Sequence, residues 1–579
     1  MKKLLAAALV LAAVAAAPLA ALNVYPIDRA EILAGSKFDF KVELYGVQDE
    51  STVTLTINGK SADKVLGKKP AYITEELGKA GQASAFLLRD VVIKTPGAYK
   101  VDVADGFGSI RSVTWNVYAP AAKAVAKNII FLLADGYSVG TRTAARLLSQ
   151  GNTEGTSNGL LAIDQMDHTG MVGTSSVDAI TVDSANAMSA YMTGQKSSIN
   201  ALGVYADRTA DAFDDPKQET LGELVRRASK KSIGIVSDAE LEDATPAAVV
   251  AHTRLRATKA EIVPMFLGLK PEVLLGGGAA YFLPKSTAGS ARKDETNYVE
   301  LFQKAGYDVA TTSTELKSVA GTKKNLLGLF HPSNMDGWLD RKILKANTVA
   351  QFPDQPDLTE MTQIALDKLS QNKDGFFLMV ESGLVDKFEH PMDWERAVYD
   401  AIMFDKVVAQ AQAFAKKHPD TIIVAVGDHT HSISVFGTVD DSKPGTSMRD
   451  KVGTYAAAGF PNYADADHDG FPDSPDVSKR LAVGWGNHPD YWETYKPKLD
   501  STFSPTVQNE KKQYVANDKY KSDSAILIQG NLPYSDATEV HSVDDMVLTM
   551  SGPGSEQVKA YQENTAVFKY LVKALGLKP

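Results

Sequence analysis

Four short runs of unbroken apolar residues limit what this chain can fold into: residues 129–134 (IIFLLA), 233–237 (IGIVS), 376–380 (FFLMV) and 422–426 (IIVAV). Strands that show no polar alternation are covered on both faces, as in a parallel sheet packed between helices. Stretches with helical periodicity lie between them at 221–230, 358–370 and 394–416. The expectation is a doubly wound α/β domain.

Residues 23–118 have a different texture. Apolar residues recur two apart, as in Phe38, Phe40, Val42 and Leu44, and again in Val113, Trp115 and Val117. Turn pairs such as Asn58-Gly59 separate these stretches. Such alternation predicts antiparallel strands with one buried face, here an immunoglobulin-like β-sandwich over 22–118. An Ala/Pro linker spans 119–127, and the α/β domain fills 128–579, interrupted by a Gly-, Pro- and Asp-rich insertion at 432–535. A length of 579 residues accommodates these units.

Residues 1–21 combine a Met-Lys-Lys start with an apolar run shorter than a bilayer span and small residues near its end, the pattern of a cleaved signal peptide. No later segment is long and apolar enough to span a membrane, so a periplasmic or secreted protein is expected. The formal net charge of -10 argues against electrostatically driven nucleic-acid binding.

With no Cys and ten His, a transition metal would be held by imidazoles and carboxylates. Each apolar run leads into such residues: Asp135 after the first, Asp238, Glu240, Glu242 and Asp243 after the second, Glu381 after the third, and Asp428-His429-Thr430-His431 after the fourth. A single acid after a strand is commonly a helix cap. Four together at strand ends, where open α/β sheets bind ligands, imply one shared cluster. Asp386 and His390 are four apart and share a helix face, either as a surface ion pair or, beside Asp428 and His429, as half of a zinc site. Ser184 begins a small-residue helical stretch that ends at Gly194. Asp183 or Ser184 there caps the helix or, beside a metal, the serine hydroxyl serves as a nucleophile at a natural oxyanion site.

Six ordered motifs then carry a family likeness: NIIFLLADG, VDSANAMSAYMTG, SDAELEDATPAAVVAH, GFFLMVESGLVDKFEH, VGDHTH and EVHS. The chain resembles the metal-dependent, serine-nucleophile alkaline phosphatases over roughly 128–260, 374–435 and 535–578. The resemblance implies Ser184 as the nucleophile forming a phosphoserine. It implies one zinc on Asp135, Asp428 and His429, a second on Asp386, His390 and His541, and a magnesium on Asp135, Thr245 and Glu381. Arg256 would clamp phosphate, in preference to the neighbouring Arg254. Asp243 and Lys387 would tune the magnesium and phosphate sites, and His431 would orient a zinc carboxylate from behind. His168, His252, His331, His418 and His488 are left to packing, capping or the surface. Small phosphate monoesters are the implied substrates, and a homodimer the implied assembly.

The β-sandwich lies outside the minimal enzyme of this family, and the insertion falls where its members vary. Within the insertion, Asp465, Asp467, Asp469, Asp473 and Asp476 with Gly470 approximate a calcium loop, Asp476 standing in for the usual Glu. Two other readings stand beside the leading one. A phosphodiesterase or sulfatase-like relative would share the fold, but such enzymes usually carry Thr or a modified nucleophile and lack the third metal, against Ser184, Thr245 and Glu381. A calcium-stabilised surface binding protein would have a catalytically dead α/β domain, against the full set of site residues.

Overall fold

The structure, a computed structural model, describes residues 22–579. The expected signal peptide lies outside the described residues. The four apolar runs become the strands Asn128–Ala134, Ser232–Glu240, Phe376–Ser382 and Thr421–Val426, side by side in a ten-stranded sheet. Asn128–Ala134 pairs in parallel with Phe376–Ser382 on one side and Thr421–Val426 on the other. Ser232–Glu240 continues the parallel order beyond Phe376–Ser382, followed by Val273–Gly277, Asn325–Leu329 and Tyr307–Ala310. On the other side Met546–Ser551 runs antiparallel to Thr421–Val426, and His168–Gly173 and Tyr561–Glu563 complete the sheet beyond it.

Because successive side chains of a strand point to opposite faces, an unbroken apolar run feeds two cores. Ile130 and Leu132 enter one, with the helices Val139–Gln150, Leu358–Leu369 and Trp394–Lys417. Ile129, Phe131 and Leu133 enter the other, with Ser184–Thr193, Leu221–Ala228 and Thr565–Leu575. Helices therefore cover both faces, as the sequence predicts. All the first turns of the site begin on one edge, at the carboxyl ends of these parallel strands.

The N-terminal segment forms a four-stranded and a five-stranded sheet around one shared core that includes Phe40, Val42, Val101 and Trp115. One of its strands departs from simple alternation. In Lys37–Glu43 the polar face is buried as well: Asp39, Lys41 and Glu43 are 4%, 1% and 0% exposed. The covering layer is the irregular stretch 204–218 of the α/β domain, which bridges to the strand at Phe38 and Gln218. Within the insertion, Ile433–Asp440 and Lys479–Trp485 form an antiparallel pair. The ring of Phe471 stacks on Trp338 with 3.7 Å between centroids, fastening the insertion to the main domain.

Candidate active site

Ser184 opens the helix Ser184–Thr193 and is 2% exposed. Asp183 precedes it as the N-cap, accepting the Asn186 N–H at 3.1 Å, while Asn186 Oδ1 accepts the Asp183 N–H at 3.0 Å. This reciprocal cap fixes the helix start and leaves the serine hydroxyl free to face the strand ends. Gly194, at φ 71°, ends the helix in the left-handed conformation.

Opposite Ser184 stand residues from two strand ends. Its Oγ lies 3.3 Å from Asp135 Oδ2 and 3.2 Å from His429 Nε2. His429 Nε2 is 3.1 Å from Asp135 Oδ1 and 3.4 Å from Asp428 Oδ2. Asp428 is steered by the N–H groups of Gly136 and His429, which it accepts through Oδ1, leaving Oδ2 buried without a partner. Gly136 is required here: a Cβ would lie 2.6 Å from the His431 ring.

A second group adjoins the first. His390 Nδ1 is held by the Glu539 carbonyl and His541 Nδ1 by the Val182 carbonyl, so both rings direct Nε2 toward Asp386. His390 Nε2 and His541 Nε2 lie 3.3 and 3.4 Å from Asp386 Oδ1, and 3.2 Å from each other. These separations allow a test of fit. Tetrahedral coordination with bonds of about 2.0–2.1 Å has ligand–ligand edges of about 3.3–3.4 Å. Both groups show that spacing, and anchoring the far nitrogen of an imidazole on a carbonyl is the usual way of orienting a ligand. The donor sets fit two divalent cations. Near them, Glu381 is buried with Asp135 and Ser237 beside it, and the buried Thr245 hydroxyl has no partner. Those hard oxygen donors suit a third cation.

The electrostatics point the same way. Burial, and then the nearby Asp135 charge, push the Glu381 and Asp428 carboxyls well above their usual range. Burial also raises Asp386, but His390 and Lys387 outweigh it and hold that carboxyl well below the usual range. So many buried acids with few cationic side chains make a site built for added positive charge.

The remaining expected residues line the approach. Arg256 donates to Asp243 Oδ1 at 2.8 Å and lies 3.9 Å from Asp183. Lys387 bridges Asp386 at 3.1 Å and Asp243 at 3.4 Å. Arg254 turns away and binds the carbonyls of Asp207 and Thr209. His431 sits behind Asp386 with Nε2 at 2.7 Å from Oδ1. Its other nitrogen meets Glu539, a buried residue that also accepts from Ser432 N at 3.0 Å and Oγ at 2.8 Å. Asp183 is the N-cap, as one of the two sequence alternatives had it; Glu539 and Asn200 were not singled out from the sequence. Only the place of Glu539 two residues before His541 could have drawn notice. In the insertion, Asp465, Asp467 and Asp469 gather with ligand atoms within 4.8 Å of one another. Asp473 instead accepts the Ala466 N–H at 3.0 Å, and Asp476 lies outside the group.

A serine at a helix start, an arginine and clustered metal-type donors on the carboxyl edge of a doubly wound sheet define the class: a hydrolase that handles anionic esters with the help of bound cations. Residues 126–577 match the family model described as alkaline phosphatase, and the chain belongs to that family. It is a phosphoric monoester hydrolase. It is 33% identical over 352 residues to alkaline phosphatase H of Pseudomonas aeruginosa, covering 54% of this chain and 71% of that one. With the Escherichia coli K12 alkaline phosphatase it shares 32% over 363 residues, 56% of this chain and 74% of the relative. The Thermus thermophilus alkaline phosphatase structure aligns with a TM-score of 0.55 at 22% identity, covering 79% of this chain and 93% of that one, a likeness of fold.

Proposed function

We propose that this phosphomonoesterase works through a phosphoserine on Ser184 and is exported from the cell, with residues 1–21 as its signal peptide. The observation that carries the mechanism is the placement of Ser184 Oγ, 3.2 Å from His429 Nε2 and 3.3 Å from Asp135, at a helix N-terminus. Asp135, Asp428 and His429 would hold one zinc ion, Asp386, His390 and His541 a second, and Asp135, Thr245 and Glu381 a magnesium ion. Bound there, these cations supply charge for the reacting phosphoryl oxygens and favour ionised hydroxyls near neutral pH.

The chain's own residues do the rest. Arg256 offers a planar fork to two phosphate oxygens, aimed by Asp243, and directs the phosphorus toward Ser184. Ser184 Oγ attacks phosphorus, the P–O bond to the alcohol breaks, and the alcohol departs with a proton. Water then attacks the phosphoserine from the vacated side, releasing inorganic phosphate and restoring the hydroxyl. Lys387 holds Asp386 and Asp243 in place through both steps, and His431 with Glu539 braces Asp386 from behind.

The three gathered aspartates of the insertion support a calcium ion at Asp465, Asp467 and Asp469, as a brace for that segment. We read the N-terminal two-sheet unit as immunoglobulin-like, and a homodimer as the assembly. The test of the central reading is substrate choice with and without the nucleophile. Aryl phosphate should be turned over far faster than bis-aryl phosphate or aryl sulfate, and Ser184→Ala should abolish the reaction. A preference for diester or sulfate, or undiminished activity of Ser184→Ala, would overturn it.

A further inference from the structure

The N-terminal unit lies outside the matched residues 126–577, yet its strand Lys37–Glu43 buries a charged face against the α/β domain. Lys41 is the centre of that contact. Its amine pairs with Asp207 of the covering stretch and with Glu75 of its own unit, and lies 3.9 Å from Glu43. The next residue of the stretch, Arg208, reaches back into the N-terminal unit. It donates through Nε to Glu75 at 2.9 Å, through Nη2 to the Ser84 carbonyl at 2.8 Å, and through its backbone N–H to Glu43 at 3.0 Å.

On its far side the same stretch holds the region of Arg256. The Arg254 guanidinium binds the Asp207 carbonyl at 2.8 Å and the Thr209 carbonyl, and the Arg254 N–H donates to the Ala212 carbonyl at 3.2 Å. Two residues on, the Arg256 N–H donates to the Asn200 carbonyl at 2.8 Å, and the Asn200 N–H donates at 2.9 Å to Asp183, the cap of the Ser184 helix. A continuous set of charged and backbone contacts thus runs from Lys41 to the arginine and to the helix that carries the serine.

We propose that the N-terminal unit positions the phosphate clamp of this enzyme: Lys41 and Arg208 pin residues 207–212, and those residues, through Arg254, fix the backbone that presents Arg256. The proposal rests on the reading of Arg256 as the group that grips phosphate. Physically, removing the Lys41 charge leaves Glu43, Glu75 and Asp207 buried together with Arg208 beside the glutamates and Arg254 4.0 Å from Asp207, too little cationic charge for three acids, and like charges in a dry interface move apart. Asp207 is the member outside the sheet ladders, since it lies in an irregular stretch while the glutamates lie in strands. Displacement of a clamping group by about 1 Å costs up to about a hundredfold in rate.

The test uses the full chain, with steady-state kinetics on an aryl phosphate and competitive inhibition by inorganic phosphate. Lys41→Met should raise KM and the phosphate inhibition constant by about tenfold with kcat within about twofold, a loss of uniform binding. Lys41→Arg should restore most of it. In an Arg256→Ala background, Lys41→Met should add nothing further. Should Lys41→Met fail to fold, Arg254→Lys gives the same comparison, because it keeps the charge but cannot span two carbonyls. Equal loss from Lys41→Met in both backgrounds, or an unchanged inhibition constant in the folded variant, overturns the proposal. If Arg256→Ala itself leaves phosphate inhibition unchanged, the clamp reading fails instead, and the two failures are told apart.

Discussion

His390 and His541, distant in sequence, point their Nε2 atoms at one another across 3.2 Å, and each ring is locked by a carbonyl on its far nitrogen. Two neutral nitrogen acceptors facing each other beside a carboxylate suit a cation placed between them and Asp386. Burial lowers the basicity of both rings, which keeps them neutral and ready to bind. Metal analysis of the loaded protein should give two zinc ions and one magnesium per chain. His541→Ala should lose one zinc, whereas full zinc content in that variant would refute the assignment.

Glu539 holds His431, which in turn holds Asp386. Replacing such an outer partner of a ligand typically costs about 10–100-fold in metal affinity. Glu539→Gln should therefore lose zinc to a competing chelator at about tenfold lower chelator concentration, with secondary structure intact. Unchanged retention would show that His431 needs no such support.

Arg256→Lys keeps the charge but loses the planar fork, and should weaken binding of inorganic phosphate by about 1.5–3 kcal/mol, the range for hydrogen bonds to charged groups. Isothermal titration with phosphate measures this. An unchanged affinity would mean that the fork with Asp243 is structural only.

Asp215 lies under the N-terminal unit with its Oδ2 buried and without a partner. Burial, opposed by the Asp207 N–H that its Oδ1 accepts and aided by the Asp207 charge, pushes its carboxyl from 3.8 up to about 7. Unfolded, it gives up its proton near 3.8; folded, it keeps it until about pH 7. The unfolded state thus binds fewer protons across that window, so stability falls as pH rises from about 4 to about 7 and stays reduced above it. Asp215→Asn should raise the melting temperature at pH 8, by about 1–2 kcal/mol in stability given about 1.4 kcal/mol per pH unit as a ceiling, and leave it unchanged at pH 4. Equal shifts at both pH values would assign the effect to something other than this proton.

Calcium should raise the melting temperature of the full chain, since a ligand at a hundred times its Kd adds about 2.7 kcal/mol. Asp467→Ala should remove that rise without altering kcat. A calcium response that survives Asp465→Ala and Asp467→Ala together would place the ion elsewhere.

The catalytic sheet was legible in the sequence because burial on both faces leaves a one-dimensional mark: residues 129–134 and 422–426 contain no polar residue, and both form central strands. The N-terminal strands were legible for the complementary reason, that alternation marks one apolar face. Alternation was misleading in one place. Asp39, Lys41 and Glu43 have the pattern of a solvent-facing edge, and only the packing of 204–218 over them buries their charges. Asp135, Glu381, Asp428 and His429, which the structure gathers near Asp386, drew notice because they follow strand ends, and Asp386 because it stands four before His390 in an ordered motif. Glu539 and Asn200 did not, because their contacts depend on which loop they face across the fold. The sequence by itself determined the periodicities, the strand ends and the chemical types of the donors, all local properties of the chain. The tertiary structure alone decided which nitrogen of His390 and His541 faces Asp386 and what lies against Lys41, because orientation comes from long-range contacts.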